Sequence, residues 1–433
     1  MTTGTTRPRV VLFEASHHGH HPYFLRLLLE EAARRDYGVE LYLVVSPRFA
    51  AAHPDVIALC GALAPGRGRV RVYGAADQAA IDAAPASRVV SAHGVFTGKF
   101  DPAERSSVTW ALACREARER DATHLVLMFL DACYYPVASH ARAPCRVSGI
   151  LFRPSFHYGR LSGEPEERRV TMARLQERLT VARLLQHPDA DTIFTLDPFF
   201  VDAIGTEHRD RVFLLDDPVP LPPEGASDAL HLRREFGVEE GRRVLLFFGQ
   251  PQLRKGILQL LDALAGMSPS SRRRMCLLMA GPESGIDRAL LNARLQALAA
   301  HSLIQVVRHA EHVPQARVQD YFRVSDIVLA PYQRHLGSSN ILLLAAAHGR
   351  PALSQDYGLM GAYVRRDGLG VAVDTTQPAA IAAALERMLD CPAGFAPTRE
   401  AQAALRARHD DCRFASSMLS RLVTPPSRGS TRR

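Results

Sequence analysis

At 433 residues and 47% hydrophobic content the chain can bury large cores, and its length favours two or three domains over one. Its seven cysteines (Cys60, Cys114, Cys133, Cys145, Cys276, Cys391, Cys412) are odd in number, scattered and never in C-x-x-C spacing, which argues against a disulfide scaffold or redox motif and for a reduced, cytoplasmic protein. The formal charge of +8 raises nucleic acid, but the arginines are dispersed beside Asp and Glu, as in EARERD and EPEERRV, with no basic stripe interleaved with aromatics; no nucleic-acid partner is expected, and at most a peripheral contact with a membrane surface.

The opening MTTGTTRPRV has neither an apolar h-region nor a cleavage signal, and no run approaches the roughly 20 apolar residues of a spanning helix. The expectation is a chain neither secreted nor membrane-spanning. Residues 9–15 (RVVLFEA) read as a strand, SHHGHHP as a turn, YFLRLLLEEAARRD as a helix with one apolar face, and VELYLVVS as a buried strand. A weak strand over 70–73, a helix over 103–120, the apolar strand THLVLMFLD, the strand CRVSGILFRP and a long helix over 164–185 continue the alternation. ADTIFTLD and RVFLLDDP complete a first α/β domain over 1–218.

Residues 219–242, rich in Pro, Gly and charge, form the best linker in the chain. The alternation restarts at RVLLFFG and runs through RMCLLMAG, IQVVRH and DIVLAP, with a helix after each, making a second domain over 243–395. A helical region over 396–422 is expected to pack across the junction, and residues 423–433 to form a disordered tail. The fold class is thus α/β, two Rossmann-like domains facing each other across a cleft, with ligands at the carboxyl ends of the strands.

Chemistry concentrates at three strand ends of the second domain. In FFGQPQLRKGILQLL, Gly249 closes a buried strand and Lys255 precedes a helix. Gly281 and Pro282 close the next strand, and Gly337, Ser338, Ser339 and Asn340 lie between a later strand and a very apolar helix. Small residues allow close backbone approach, and a helix start aims N–H groups and the positive dipole end at one point, which suits a phosphate. Each turn alone also reads as a solvated loop; three on one rim make an anionic ligand the better account.

The order FFGQPQLRKG, LLMAGPES, YFRVSDIVLAPYQRHLGSSNILLLAAAHGRPALSQDYG resembles the C-terminal half of retaining, family 4-like GT-B glycosyltransferases (glycosyl transferases group 1). The resemblance covers nearly all of the second half and only the general pattern of the first. It implies a nucleotide-diphosphate sugar held by the C-terminal domain, a sugar or other small-molecule acceptor held by the N-terminal domain, and transfer that needs no metal and no cofactor beyond the nucleotide sugar as co-substrate. On it, Lys255 falls on the phosphate-binding lysine, Gly281 on the strand-end glycine facing the nucleotide, and Ser338, Ser339 and Asn340 on the turn whose amides meet the diphosphate. Gln250 replaces the usual arginine, and Leu336 and Leu344 replace both glutamates of the family's E-x7-E pair.

Four histidines (His17, His18, His20, His21) surround Gly19 after the first strand. Imidazoles bind zinc, yet a metal site also needs ligands from elsewhere, and no metal is assigned. Gly19 and His20 read as a cleft loop approaching donor or acceptor; the alternative is a polar loop capping the helix near Pro22. Asp131, Arg153 and His157 follow apolar strands where ligand contacts form, and equally where structural ion pairs form. Arg153 lies roughly where the family carries a histidine near the donor sugar. His335 is a substitute for the contact that Leu336 cannot make, so His335, Arg153 and Asp131 are the catalytic candidates, with Asp356 secondary. The reading is a glycosyltransferase; the alternatives are a nucleotide-sugar epimerase or hydrolase on the same fold, and a non-catalytic binding protein.

Overall fold

The structure, a computed structural model, describes residues 7–84, 103–152, 154–158, 161, 168–220, 228–301 and 303–424. It contains two parallel sheets. The first runs β1 (Arg9–Glu14), β2 (Glu40–Val45), β3 (Gly68–Val72), β4 (His124–Leu127), β5 (Arg146–Leu151), β6 (Ala190–Thr195) and β7 (Val212–Leu214), in spatial order β3-β2-β1-β4-β5-β6-β7. The second runs β8 (Arg243–Phe248), β9 (Met275–Ala280), β10 (Gln305–His309), β11 (Ile327–Ala330), β12 (Ala352–Gln355) and β13 (Gly370–Val373), in order β10-β9-β8-β11-β12-β13.

The near-continuous apolar runs follow from burial on both faces, since successive side chains of a strand point to opposite sides. In β1, Val10 and Leu12 join one core cluster while Val11 and Phe13 join another. All six residues of β9 are buried. Leu245 and Phe247 of β8 pack with Ile257, Leu260, Leu261 and Leu264 of the Ile257–Gly266 helix.

The chain divides into two compact units. The first comprises Met1–His157, Glu166–Pro218 and Asp411–Arg433; the second, Tyr158–Pro165 and Val219–Asp410. The described part of the expected 219–242 linker is built into the second unit. Its Ala229–Glu235 helix is followed by Phe236, which stacks on Tyr321 at 4.6 Å, and Arg233 donates to the Val324 carbonyl at 3.0 Å. The expected helical region over 396–422 is two helices with different loyalties. Arg399–Arg408, capped by Thr398, stays in the second unit, whereas Asp411–Val423 inserts Phe414, Met418, Leu419 and Leu422 into the first unit's core. Residues 425–433 lie outside the described residues.

One strand is shorter than its apolar run predicts. THLVLMFLD becomes β4 over His124–Leu127 and then a single 3-10 turn, Leu130–Cys133. Apolar side chains are needed in that turn because it is fully buried, so hydrophobicity alone does not separate it from strand.

Candidate functional site

Both sheets have a topological switch point, where neighbouring strands send their connections in opposite directions and leave a crevice at their carboxyl ends. In the second sheet it lies between β8 and β11. There Gly249, at φ +85°, donates its N–H to the Ala280 carbonyl at 2.7 Å, and Gly281, at φ +135°, donates to His309 at 2.9 Å. A Cβ on Gly281 would stand 2.8 Å from the Gly249 carbonyl carbon, and one on Gly249 would stand 2.7 Å from Lys255 Nζ. Two strand ends and one ammonium group are therefore packed as closely as side-chain-free backbone permits.

Lys255 ends the Leu253–Lys255 turn, and its Nζ lies 3.5 Å from the Phe248 carbonyl, a weak contact. Burial, with the neighbouring Arg254 charge, pushes its ammonium down to about 8, and no carboxylate among the described residues offsets this. The turn is tied to the loop after β11. The Arg254 carbonyl accepts the Gln333 N–H at 2.8 Å, and the Arg254 guanidinium lies 5.8 Å from the Tyr332 ring.

Tyr332 is buried, which raises its phenol above its ordinary range, and its hydroxyl meets Ser339 Oγ at 3.1 Å. Ser339 is the N-cap of the Asn340–Ala347 helix but makes no side-chain cap there, and the first turn carries no acid. His335 is held through its backbone. Its N–H donates to Gln355 Oε1 at 2.9 Å and its carbonyl accepts from Gln355 Nε2, while its ring sits 5.2 Å from that of Tyr332. A Cβ on Gly337 would be 3.2 Å from His335 Nε2.

Gly249, Lys255 and Gly281 thus form one group, and His335, Gly337 and Ser339 another, joined through Tyr332 and Arg254; Ser338 and Asn340 adjoin the second in sequence. Pro282 leads to Glu283, buried and bound by Arg308 at 3.0 and 2.6 Å. Gln250 turns to Ser284 at 2.7 Å. Asp356 has its backbone pinned between Val373 and Arg365. Leu336 and Leu344 each keep only 8% of their surface, so both positions are apolar and inside the protein.

In the first sheet the switch point lies between β1 and β4. Glu14 closes β1 almost fully buried; one oxygen accepts the Ser16 N–H at 2.6 Å and the other meets His21 Nδ1 at 2.7 Å. The His21 ring packs 4.9 Å from Phe129 and 5.3 Å from Phe152, the residues that follow β4 and β5. His20 turns instead toward Phe24, at 5.9 Å, beside Gly19 at φ +70°. Sequence reasoning passed over Glu14 and named His21 only as one of four histidines, choosing His20, although a carboxylate closing an otherwise apolar strand was the available signal.

Asp131 is buried in the 3-10 turn, where its Oδ2 accepts the Phe152 N–H at 2.8 Å and so ties the exits of β4 and β5 together. His157 is likewise buried, with Nε2 at 2.9 Å from Asp197, whose other oxygen caps the Pro198–Ala203 helix. Arg153 lies outside the described residues. No group of three or more His, Cys, Asp or Glu side chains is placed to hold a metal among the described residues.

Residues 242–391 match the model of glycosyl transferases group 1. The chain is 32% identical over 187 residues to a D-inositol 3-phosphate glycosyltransferase of Thermobispora bispora, covering 42% of this chain and 43% of that one. A namesake from Kineococcus radiotolerans is 31% identical over 223 residues, 49% of this chain and 50% of that one. The chain therefore spans about half the length, or less, of these curated relatives. Among solved structures, HepE of Anabaena in complex with UDP-glucose superposes with a TM-score of 0.61 at 13% identity, covering 95% of this chain and 98% of the other. The α,α-trehalose 6-phosphate synthase of Burkholderia multivorans does so with 0.63 at 12%, covering 96% and 98%. With two parallel sheets and these neighbours, the chain has a GT-B fold, and its residues 242–391 match the glycosyl transferases group 1 model.

Proposed function

We propose that the protein is a glycosyltransferase that moves a sugar from a nucleotide-diphosphate donor to a hydroxyl of a sugar or other small-molecule acceptor. The donor diphosphate is held at the β8/β11 switch point, and the acceptor is handled by the first unit. One observation carries the reading: Lys255 is a half-buried cation at that switch point with no carboxylate pairing it among the described residues. Burying a charge without a partner is costly, and an anionic ligand supplies the missing one.

In the reaction the bond from the anomeric carbon to the diphosphate breaks and its electron pair leaves with the phosphate oxygen, while the acceptor oxygen forms the new bond to that carbon and passes its proton to the departing phosphate oxygen. Lys255 and backbone N–H groups aimed at the diphosphate stabilise the charge that develops there. His335, whose backbone is held by Gln355, contacts the donor sugar in this reading. Glu14 fixes the orientation of the His21 imidazole, which suits it to bind an acceptor hydroxyl. The family likeness adds retention of configuration and independence of metal. UDP is the nucleotide to try first, because HepE was solved with UDP-glucose.

The test is a thermal-shift titration with UDP, GDP and TDP on wild type and Lys255→Met, followed by product analysis with the matching nucleotide sugars. A ligand that binds only the folded state at a hundredfold excess over Kd stabilises by about 3 kcal/mol. The expected result is a shift with one nucleotide in wild type alone, then a glycosylated product with the donor's anomeric configuration, formed equally in EDTA. No shift with any nucleotide would sink the proposal. The buried leucines at 336 and 344 favour one second reading, a nucleotide-sugar-binding protein without turnover, for which the shift appears and no product does.

A further inference from the structure

The first unit carries a surface unlike the rest of the molecule. Nine large hydrophobic side chains are exposed among the described residues, and four of them lie on two packed helices, Tyr134–Ala138 and Arg168–Leu185. Met172, Leu175 and Leu179 expose 53%, 48% and 59% of their surface. Their spacing of three and four residues puts them in a single stripe along one face of the helix. Tyr135, 41% exposed, belongs to the adjoining helix, which is joined to the first by the bond from the Tyr134 hydroxyl to the Glu177 carbonyl.

Among the described residues of this helix, the exposed polar side chains are all neutral or basic. Besides the three apolar residues, Gln176, Arg178 and Arg183 are exposed on this helix. Its described acid, Glu177, is engaged with the Ser155 N–H and hydroxyl, both at 2.7 Å. Long apolar side chains beside arginine, with no exposed acid among the described residues of the helix, match an interface of apolar depth and negative surface charge. A second copy of this chain fits less well, because a two-fold contact would bring the same arginines toward each other.

We propose that the exposed face of the Arg168–Leu185 helix docks onto the surface of a membrane containing anionic lipid, with Met172, Leu175 and Leu179 entering the headgroup region and Arg178 and Arg183 meeting lipid phosphates. No helix among the described residues is long and apolar enough to cross a membrane, so this contact lies in the plane of the surface. The docking helix also grips the segment after β5 through Glu177 and Ser155, so attachment at the lipid holds a carboxyl-edge loop of the first sheet in place. The inference stands independently of the nucleotide reading.

The test is co-sedimentation of the full chain with vesicles of phosphatidylcholine alone and of phosphatidylcholine with one part in three phosphatidylglycerol, at low and high salt. Wild type should sediment with the anionic vesicles, far less with the neutral ones, and less as salt rises. Arg178→Glu with Arg183→Glu should lower the partition by about fivefold or more per arginine. Met172→Ser, Leu175→Ser and Leu179→Ser together should lower it further, with the melting temperature and any UDP-induced shift unchanged. Should the triple variant fold poorly, the arginine pair and the salt series decide alone. Equal sedimentation with both vesicle types, no sedimentation with either, or binding indifferent to the arginine variants overturns the proposal. So does a wild-type dimer in light scattering that the serine variants dissociate, which would give this face to a second copy.

Discussion

Lys255 is one of only two lysines in a chain with 51 arginines, the other being Lys99. A guanidinium stays charged at any accessible pH, whereas the Lys255 ammonium, pushed down to about 8 by burial and then by Arg254, sits close to losing its proton. Its folded value lies below the unfolded 10.5, so between those limits the unfolded chain binds more protons and the contribution of Lys255 to stability rises with pH. Below about pH 8 the buried charge costs its full amount. Lys255→Met, which keeps the shape and removes the charge, should therefore raise stability at neutral pH by about 1–3 kcal/mol, measured by urea unfolding, while abolishing nucleotide binding. In wild type, nucleotide affinity should stay level below pH 8 and fall by up to about tenfold per pH unit above it. Calorimetry in two buffers of different ionisation enthalpy should then show proton uptake on binding.

Glu14 and His21 make a second prediction at this scale. Glu14→Gln keeps an oxygen for the Ser16 N–H but removes the charge beside His21 Nδ1. Transfer to acceptor should drop by about a hundredfold, the usual range for general acid–base groups, with the UDP shift unchanged. A loss of the shift instead would place the pair in donor binding. Gly281→Ala should lower both stability and binding, because its Cβ would press on the Gly249 backbone rather than on a side chain that can move aside.

Among the elements, the Asp411–Val423 helix decides most. It returns to the first unit after a chain excursion through the second, and its Phe414 ring lies 4.8 Å from Phe24, with the Tyr23 hydroxyl donating to Asp411 at its start. Phe414→Ala should cost about 3–5 kcal/mol, read as a lower melting temperature of the first unit with nucleotide binding intact. The Asn340–Ala347 helix is the opposite kind of element. Leu342 to Ala347 are all buried, so its composition answers to packing, and only its start, at Ser339, reaches the candidate site. That is why so apolar a helix can begin a phosphate site: the ligand would meet its backbone, not its side chains.

For the whole molecule, two sheets with separate cores imply two cooperative units. Scanning calorimetry should resolve two transitions, of which saturating UDP raises one and Phe414→Ala lowers the other. A single transition that moves with both perturbations would show the units to be thermodynamically one.

Much of this was legible before folding. The second sheet announced itself because its central strands are buried runs bounded by glycine, proline or charge, and the small-residue turns that follow them are short-range features that residues close in sequence can specify. Lys255, Gly249 and Gly281 were singled out on those grounds, and the fold brings them together. The choice of His21 over His20 was not, because consecutive residues of a helix point about 100° apart and only the placed helix says which one meets the end of β1. Nor was the inward turn of Asp131, since a carboxylate at a strand end is equally suited to a ligand or to the Phe152 amide. The split after Asp410 was hidden as well, because two amphipathic helices in succession look alike whichever core takes them. The amino-acid sequence by itself determined two parallel α/β sheets and a small-residue rim suited to an anion, because periodicity and turn chemistry are local. The tertiary structure alone decided that Lys255 is a half-buried cation without a described acidic partner and that Glu14 holds His21, because burial and pairing depend on residues that the chain brings together only when it folds.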